Sequence, residues 1–313
     1  MERRRRVRPL LFVGIMAALA LGVALRPGSP APQDERGAAS PSLPPSLLTA
    51  GPTAPPASPG DPPSNDAAAM LRVHNELRAR IGAPALGADE RVTAAAQRHA
   101  EYLARHGIVG HEETPGEAGF TGASVRDRLA AQGYEAAIAS EVATSFGTGT
   151  DGVRSLWVLP YHRLGLMHPQ AVVAGWGHAD VAGRTATVGV LVYDFGAPAP
   201  ERVRSPASGE RVPGSWSGEE FPDVLPAGAA RPVGYPIMVV YSGARAVELR
   251  AARLTDASGR ELAHHVVPQL YEPDYVAIVP AIPLAPSARY RVQLELTVAG
   301  SDVVEEWEFE TEP

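Results

Sequence analysis

Apolar positions recur at helical spacing in the first half of the chain. Met70, Val73, Leu77 and Ile81 are three or four residues apart, which places them on one face of a helix. Similar patterns predict further helices at residues 90–105, 125–132 and 152–159, followed by strands at 171–177 and 185–195. Helices followed by antiparallel strands indicate an α+β domain, which we predict for residues 66–200.

Capping residues support the starts of these helices. Asn65 or Asp66 can cap the first helix, and Asp89 can cap the second. Ser124 followed three positions later by Asp127 forms a capping-box pattern for the third helix. These residues predict where each helix begins.

The last third of the chain has a period of two instead. In the segment YRVQLELTV at residues 290–298 apolar and polar side chains alternate, which predicts a half-buried strand. Other strands are predicted at residues 235–241 and 274–280, around Trp307 and Phe309, and as two strands about a turn at 254–267. Several short strands favour a separate all-β sandwich at residues 215–313, joined to the first domain by a linker at 201–214.

The N-terminus predicts export. Residues 1–9 read MERRRRVRP, and residues 10–25 read LLFVGIMAALALGVAL without a charge. A basic segment followed by an apolar one indicates a signal peptide or an uncleaved membrane anchor at residues 1–26. The Pro-rich residues 27–65 contain few large apolar side chains, which predicts a disordered linker. We therefore expect an extracellular or cell-surface protein, attached to the membrane if the N-terminal segment is retained.

Composition excludes several function classes. The net charge is −7, from 28 basic and 35 acidic residues, and every basic side chain is Arg. No basic face is visible, so nucleic acid is not an expected partner. The chain has no Cys, which excludes disulfides, thiolate metal sites and a cysteine nucleophile.

An ordered set of segments resembles a known family. In order, it comprises LRVHNELRARIGAPAL, RVTAAAQRHAEYLARHG, GH at 110–111, Glu141, PYHR at 160–163 and AGWG at 174–177. Together these segments resemble the CAP superfamily (cysteine-rich secretory proteins, antigen 5 and pathogenesis-related 1 proteins, or SCP-like), most closely its bacterial branch. The resemblance implies an α-β-α sandwich with a cavity. The last strands, with PLAPSARYRVQLEL and a terminal W-x-F-x-T, resemble bacterial Ig-like modules.

The family resemblance also implies the site. His111 matches the first family histidine, Glu141 the family glutamate and His162 the second family histidine. A second acid lies near Trp157 in the family, but here the only acid of that stretch is Asp151. We do not expect Asp151 to reach the cavity.

Two chemistries are open for these three residues. Two neutral imidazoles and a carboxylate can hold a divalent metal, Zn²⁺ or Mg²⁺, with one position open to water. Alternatively, His111, Glu141 and His162 form a hydrogen-bonded network without metal. No other cofactor is expected.

Other candidate side chains have simpler interpretations. We expect His99 to be a core or boundary residue, His74 and His106 to lie on helix surfaces, and His178 to lie in a solvated loop. Arg163 is expected to pair with a carboxylate beneath the site. A serine triad through Ser124 or Ser140 is not supported by any nucleophile-elbow sequence.

Three functions follow. The favoured one is binding of a cell-envelope or extracellular ligand or partner in a cavity lined by His111, Glu141 and His162. The first alternative is a metal-assisted hydrolase acting on envelope peptide or peptidoglycan, and the second is a lipid-binding protein. No catalytic residue is assigned, and the sequence leaves open whether the protein is an enzyme.

Overall fold

The computed structural model describes residues 64–243 and 245–313, so the predicted N-terminal segment and nearly all of the Pro-rich linker lie outside it. The helices are α1 (Ala67–Arg80), α2 (Glu90–His106), α3 (Val125–Ala131), α4 (Gly149–Trp157) and α5 (Pro160–Met167). The first strands are β1 (Ile138–Thr144), β2 (Ala171–Val181), β3 (Arg184–Tyr193), β4 (Arg202–Ser205), β5 (Arg211–Val212) and β6 (Ile237–Tyr241). The last are β7 (Val247–Asp256), β8 (His264–Val266), β9 (Tyr275–Pro280), β10 (Arg289–Val298) and β11 (Ser301–Thr311). Within the described ranges, no helix is long and apolar enough to cross a membrane.

The helix caps occur where the sequence predicts them. The side chain of Asp66 accepts a hydrogen bond from the backbone of α1, and Asp89 does the same for α2. Ser124 and Asp127 form the complete capping box of α3. Each cap satisfies an N–H group that the helix itself leaves without a partner.

The N-terminal part, residues 64–193, places helices on both faces of one sheet. Strands β1, β3 and β2 form this antiparallel sheet in the order β1-β3-β2. Alternate residues of β3 point to opposite faces: Val188 and Val190 pack with α2 and α3, whereas Leu191 packs with α1, α4 and α5. The layers are therefore helix, sheet and helix.

Two glycines of the AGWG segment allow α2 to lie close to β2. A Cβ added at Gly175 would lie 2.4 Å from the backbone of Val92, and one at Gly177 would lie 2.4 Å from the backbone of Gln97. No other residue type fits at that distance without displacing the helix. These glycines therefore fix the spacing between helix and sheet.

The C-terminal part, residues 202–313, consists of two four-stranded sheets. The inner sheet has the order β4-β6-β9-β8, and the outer sheet has the order β5-β11-β10-β7. Apolar side chains from both sheets form one core between them, including Ile237, Ile278, Val292 and Phe309. Strand β10 has the alternating burial that its sequence predicts.

The strand pair predicted at 254–267 is present around its turn, but its second strand, β8, belongs to a different sheet. A turn closes at Asp256, whose carbonyl accepts the N–H of Gly259 at 2.9 Å. Beyond this turn the chain pairs briefly with the end of β7, where the Leu262 N–H donates to the Leu254 carbonyl at 2.8 Å, and it then passes to the inner sheet as β8. Residues 201–214, expected to be a linker, contain strands β4 and β5.

The two central strands of the inner sheet, β6 and β9, are buried on both faces. All residues of β6 and β9 are buried. Ile237 and Val239 face the outer sheet, whereas Met238 and Val240 belong to the same core as Trp157 of the N-terminal part. Because a strand covered on both faces is apolar throughout, the unbroken runs IMVVY and YVAIVP reflect this double burial. The two parts therefore share a core rather than standing apart.

Helix α5 lies at the centre of this shared core, and all of its residues are buried. The guanidinium of Arg163 donates to Ser205 Oγ at 3.1 Å, to the Pro236 carbonyl at 2.9 Å and to the Val158 carbonyl at 3.0 Å. It also lies 4.5 Å from the ring centroid of Tyr235. The expected pairing of Arg163 with a carboxylate is corrected: carbonyls, a hydroxyl and a ring hold it instead.

We predict that Arg163→Ala lowers the free energy of unfolding by about 3–5 kcal/mol. The substitution leaves a cavity and removes the donor from three acceptors, two of which are buried. Urea denaturation of the full chain measures the change. The control Arg154→Ala removes a 47% exposed side chain with one long ion pair and changes stability by no more than about 0.5 kcal/mol. Equal losses in the two variants contradict the prediction.

Candidate functional site

The candidate site is a buried cluster on one face of the N-terminal sheet. Glu141 lies in β1, where strand alternation points it to the same face as Ala143, against α2 and α3. Its carboxylate accepts from Arg128 Nη2 at 2.7 Å and from His111 Nδ1 at 3.0 Å, and it lies 3.3 Å from His99 Nε2. One carboxylate thus contacts three nitrogen-bearing side chains.

His99 is held in its protonated form. Its Nδ1 lies 2.9 Å from Glu113, and its Nε2 lies 3.1 Å from the Gly110 carbonyl and 3.3 Å from Glu141. All three partners are acceptors, so both ring nitrogens donate. Burial alone lowers the pKa of His99, but the charge of Glu141 and the hydrogen bonds to both carboxylates outweigh it and raise the pKa to about 9.

The charges of the cluster balance. Burial alone raises the pKa of Glu141, but the positive charges of His99 and Arg128 hold it well below its usual value. Burial also raises the pKa of Glu113, but its hydrogen bond with His99 outweighs this and lowers the pKa below its usual value. Two carboxylates therefore face two cations, which is the condition under which buried charges are tolerated.

The same side chains position the loop that carries His111. Glu113 accepts from the backbone of Thr121 and, at 3.2 Å, from that of Gly122. Arg128 donates to the His111 carbonyl at 3.0 Å. The loop between α2 and α3 is thus attached to the buried charges at both of its ends.

His111 is the member of the cluster that solvent reaches. Its side chain is 8% exposed, against 0% for His99. Because the carboxylate of Glu141 only accepts, the Nδ1 of His111 carries the proton and its Nε2 keeps a lone pair. The site therefore presents one oriented imidazole that can accept a hydrogen bond.

His162 does not join this cluster, which corrects the predicted grouping of three residues. Ser140 and Glu141 are successive strand residues and point to opposite faces of the sheet. The α5 helix lies on the face of Ser140, since a Cβ at Gly165 would lie 3.2 Å from Ser140 Oγ. His162 Nδ1 instead lies 2.7 Å from Glu220 of the C-terminal part.

The bonded atoms do not fit a divalent metal at this site. The nitrogen-bearing side chains already occupy both oxygens of Glu141, and His99 and Arg128 add positive charge beside it. In the part of the chain that the structure describes, no group of three or more His, Asp or Glu side chains is arranged to hold a metal ion. We assign no chemistry to Zn²⁺ or Mg²⁺ at His111, Glu141 and His162.

Other predicted candidates also have structural roles. Asp151 is 45% exposed and contacts Arg154 and Thr148, so it does not reach the cluster. Ser124 caps α3, and Ser140 Oγ contacts the hydroxyl of Tyr193 at 2.5 Å. No serine triad forms among these residues.

Two histidines are more buried than predicted. His74 is 0% exposed between Trp157 and Trp176, and burial lowers its pKa to about 3. His178 lies within β2 rather than in a solvated loop, and its Nδ1 lies 2.8 Å from Thr187 Oγ1. Both act in packing.

The apolar stripe of α2 predicts His99 as a core or boundary residue, and its burial confirms this. The sequence contains no sign that His99, Glu113 and Arg128 are the buried charged partners of the site. Glu113 lies two residues after His111, and Arg128 follows the capping box of α3. No local pattern distinguishes these charges from solvated ones, because their burial depends on contacts between α2, α3 and β1.

The antiparallel sheet between helices makes residues 64–193 an α+β domain. The sequence of this domain shows to which protein family it is related. Residues 71–193 match the model of the cysteine-rich secretory protein family, CAP. The match confirms the resemblance to the CAP superfamily for this stretch, which we assign as a CAP domain. It lies inside the predicted range 66–200 and contains His99, His111 and Glu141.

Comparison with other proteins adds little beyond this match. No curated protein matches the chain. A solved structure of an extracellular protein containing an SCP domain from Bacillus anthracis is 18% identical, with a TM-score of 0.35, over 41% of this chain and 40% of that one. CopC from Methylosinus trichosporium OB3b is 18% identical, with a TM-score of 0.26, over 35% of this chain and 89% of that one. Scores this low carry no argument about fold or function.

We predict that stability falls by up to about 3 kcal/mol as the pH rises from 6.5 to 9. The pKa of His99 is raised from 6.5 to about 9 by folding, so its contribution is complete below pH 6.5 and is lost as the pH rises through 9. Urea denaturation of the full chain at several pH values measures the slope. His99→Gln removes the slope, and an equal slope in the variant contradicts the assignment.

Proposed function

We propose that the chain is an exported or surface-anchored protein that binds an extracellular ligand through its CAP domain, at the face of His111. The family match over residues 71–193 supports an extracellular binding role. The observation that carries the site is the 3.0 Å contact that orients His111 on Glu141. This contact leaves one imidazole nitrogen free for an incoming group.

The electrostatics favour a polar and uncharged group on the ligand. The cluster of Glu113, Glu141, His99 and Arg128 is neutral in sum, so it attracts neither a strong anion nor a strong cation. The Nε2 lone pair of His111 accepts from a hydroxyl or an amide N–H. Envelope polysaccharide and peptide both present such donors.

The N-terminal sequence is the support for proposing that the protein is exported. The apolar segment at residues 10–25 follows a cluster of Arg, a pattern typical of a signal peptide or anchor. For residues 215–313 we propose an Ig-like role in spacing or in protein contact. A metal-assisted hydrolase is not favoured, because α5 with His162 packs on the sheet face opposite to Glu141 and the oxygens of Glu141 are already bonded by His111 and Arg128.

Binding to purified peptidoglycan sacculi tests the proposal. We expect the full chain to sediment with sacculi and His111→Ala to bind at least about tenfold more weakly, since a tenfold change corresponds to one good hydrogen bond. Glu112→Gln is the matched control, because Glu112 is exposed beside His111 and the substitution leaves the cluster intact. Failure of the wild-type chain to bind, or equal binding by His111→Ala, overturns the proposal.

A further inference from the structure

A groove lies in the C-terminal part, at the end of the outer sheet where β10 begins and β11 ends. It runs between the turn that starts at Asp256 and the segment 285–288. Its volume is about 770 Å³, within the range of about 300–1,000 Å³ that is usual for ligand sites. We call it the end groove, and its charged lining side chains are those of Arg211, Asp256, Arg260, Arg289 and Glu310.

One side of the end groove is a row of charges across three neighbouring strands. Arg289 of β10 lies opposite Glu310 of β11, and Glu310 lies opposite Arg211 of β5. The Glu310 carboxylate accepts from Arg289 Nη2 at 3.0 Å and from Arg211 Nε at 3.0 Å. The strand register therefore fixes the order cation, carboxylate, cation.

A third guanidinium comes from the turn after β7. Arg260 Nε donates to Asp256 Oδ2 at 3.0 Å. The backbone N–H groups of Ser258 and Arg260 donate to Asp256 Oδ1 at 3.0 Å and 3.1 Å. The turn thus holds the Asp256 carboxylate in place, and this carboxylate orients Arg260.

Most of the guanidinium donors are unused. Among the described residues, Arg211, Arg260 and Arg289 each donate through a single nitrogen, although a guanidinium has five N–H donors. The three side chains are 68%, 75% and 61% exposed, so their other N–H groups reach the solvent. Each carboxylate therefore orients a guanidinium and leaves most of its donors for a ligand.

The opposite wall is fixed to the core of the two sheets. The hydroxyl of Tyr290 accepts from the Ala285 N–H at 2.9 Å. Thr311 Oγ1 donates to the Ala285 carbonyl at 2.6 Å and accepts from the Ala288 N–H at 2.9 Å. Because Tyr290 and Thr311 are both buried, the segment 285–288 is held in place before a ligand arrives. A preformed wall lowers the cost of ordering on binding.

The alternation of charges selects the chemistry of the ligand. A guanidinium takes a carboxylate through two parallel hydrogen bonds, whereas the oxygens of Glu310 and Asp256 accept from hydroxyl groups. A uronic acid unit carries both a carboxylate and hydroxyl groups on one sugar ring. A polyphosphate has no such hydroxyl groups and would place an anion against Glu310. The net charge of −7 gives the chain no general attraction for polyanions.

We propose that the end groove binds an acidic polysaccharide that contains uronic acid units, with Arg211, Arg260 and Arg289 holding its carboxylates. No residue that lines the end groove belongs to the CAP domain. The inference therefore goes beyond the proposed function at His111, and either can fail without the other.

Binding of a labelled oligogalacturonate to the full chain, measured by fluorescence anisotropy, tests the site. We expect wild type to bind it, and Arg289→Ala and Arg211→Ala each to bind about tenfold more weakly, because each loses a charge-assisted pair. Arg250→Ala is the matched control and stays within about twofold of wild type. Arg250 is 58% exposed and pairs with Glu248 at 3.0 Å, but it lies outside the end groove. All of these side chains are exposed, so the variants fold, and their melting curves check this.

Two further ligands and one further variant decide between explanations. The methyl ester of the probe keeps the sugar rings without the charge and is expected not to bind, and polyphosphate at matched ionic strength is expected not to compete. Absence of wild-type binding, an equal loss in Arg250→Ala, or equal binding of the methyl ester overturns the site. Equal competition by polyphosphate overturns the assignment to a glycan. His111→Ala binds the probe as wild type does, and a loss in that variant overturns the location.

Discussion

Burial of the Arg163 guanidinium constrains the whole molecule. A buried cation needs acceptors, and those of Arg163 come from Val158 in the N-terminal part and from Ser205 and Pro236 in the C-terminal part. Removing the C-terminal part would leave the guanidinium with only the Val158 carbonyl of these three acceptors and would uncover the side of α5 that faces the inner sheet. The shared core around this helix therefore makes the CAP domain and the two sheets one structural unit.

The His111 site shows a second way of keeping charge inside a protein. Glu141 would be costly alone, but His99 and Arg128 compensate it, and Glu113 in turn compensates His99. These buried contacts fix the ring of His111 at the surface. The solvent-accessible imidazole depends on four buried charged side chains.

The two histidines that match the family, His111 and His162, therefore lie in different environments. His111 is oriented by a glutamate of its own domain, whereas His162 is oriented by Glu220 from the C-terminal part. Strand alternation separates them, because α5 packs on the face of Ser140 and Glu141 points to the other face. The C-terminal part consequently supplies the carboxylate that orients His162 of the CAP domain.

The sequence by itself determined the local structure: the caps at Asp66, Asp89 and Ser124, the helices they start, the alternation of β10, and the pairing of His111 with Glu141 through the family resemblance. Strand β1 and helix α5 escaped local prediction, since IASEVAT and PYHRLGLM have no clear period of their own. Only the tertiary structure decided the partners of His99, Arg128, Arg163 and His162, because those contacts join residues far apart in the chain. Periodicity and caps act over a few residues, whereas the burial of a charge depends on which distant surfaces meet around it.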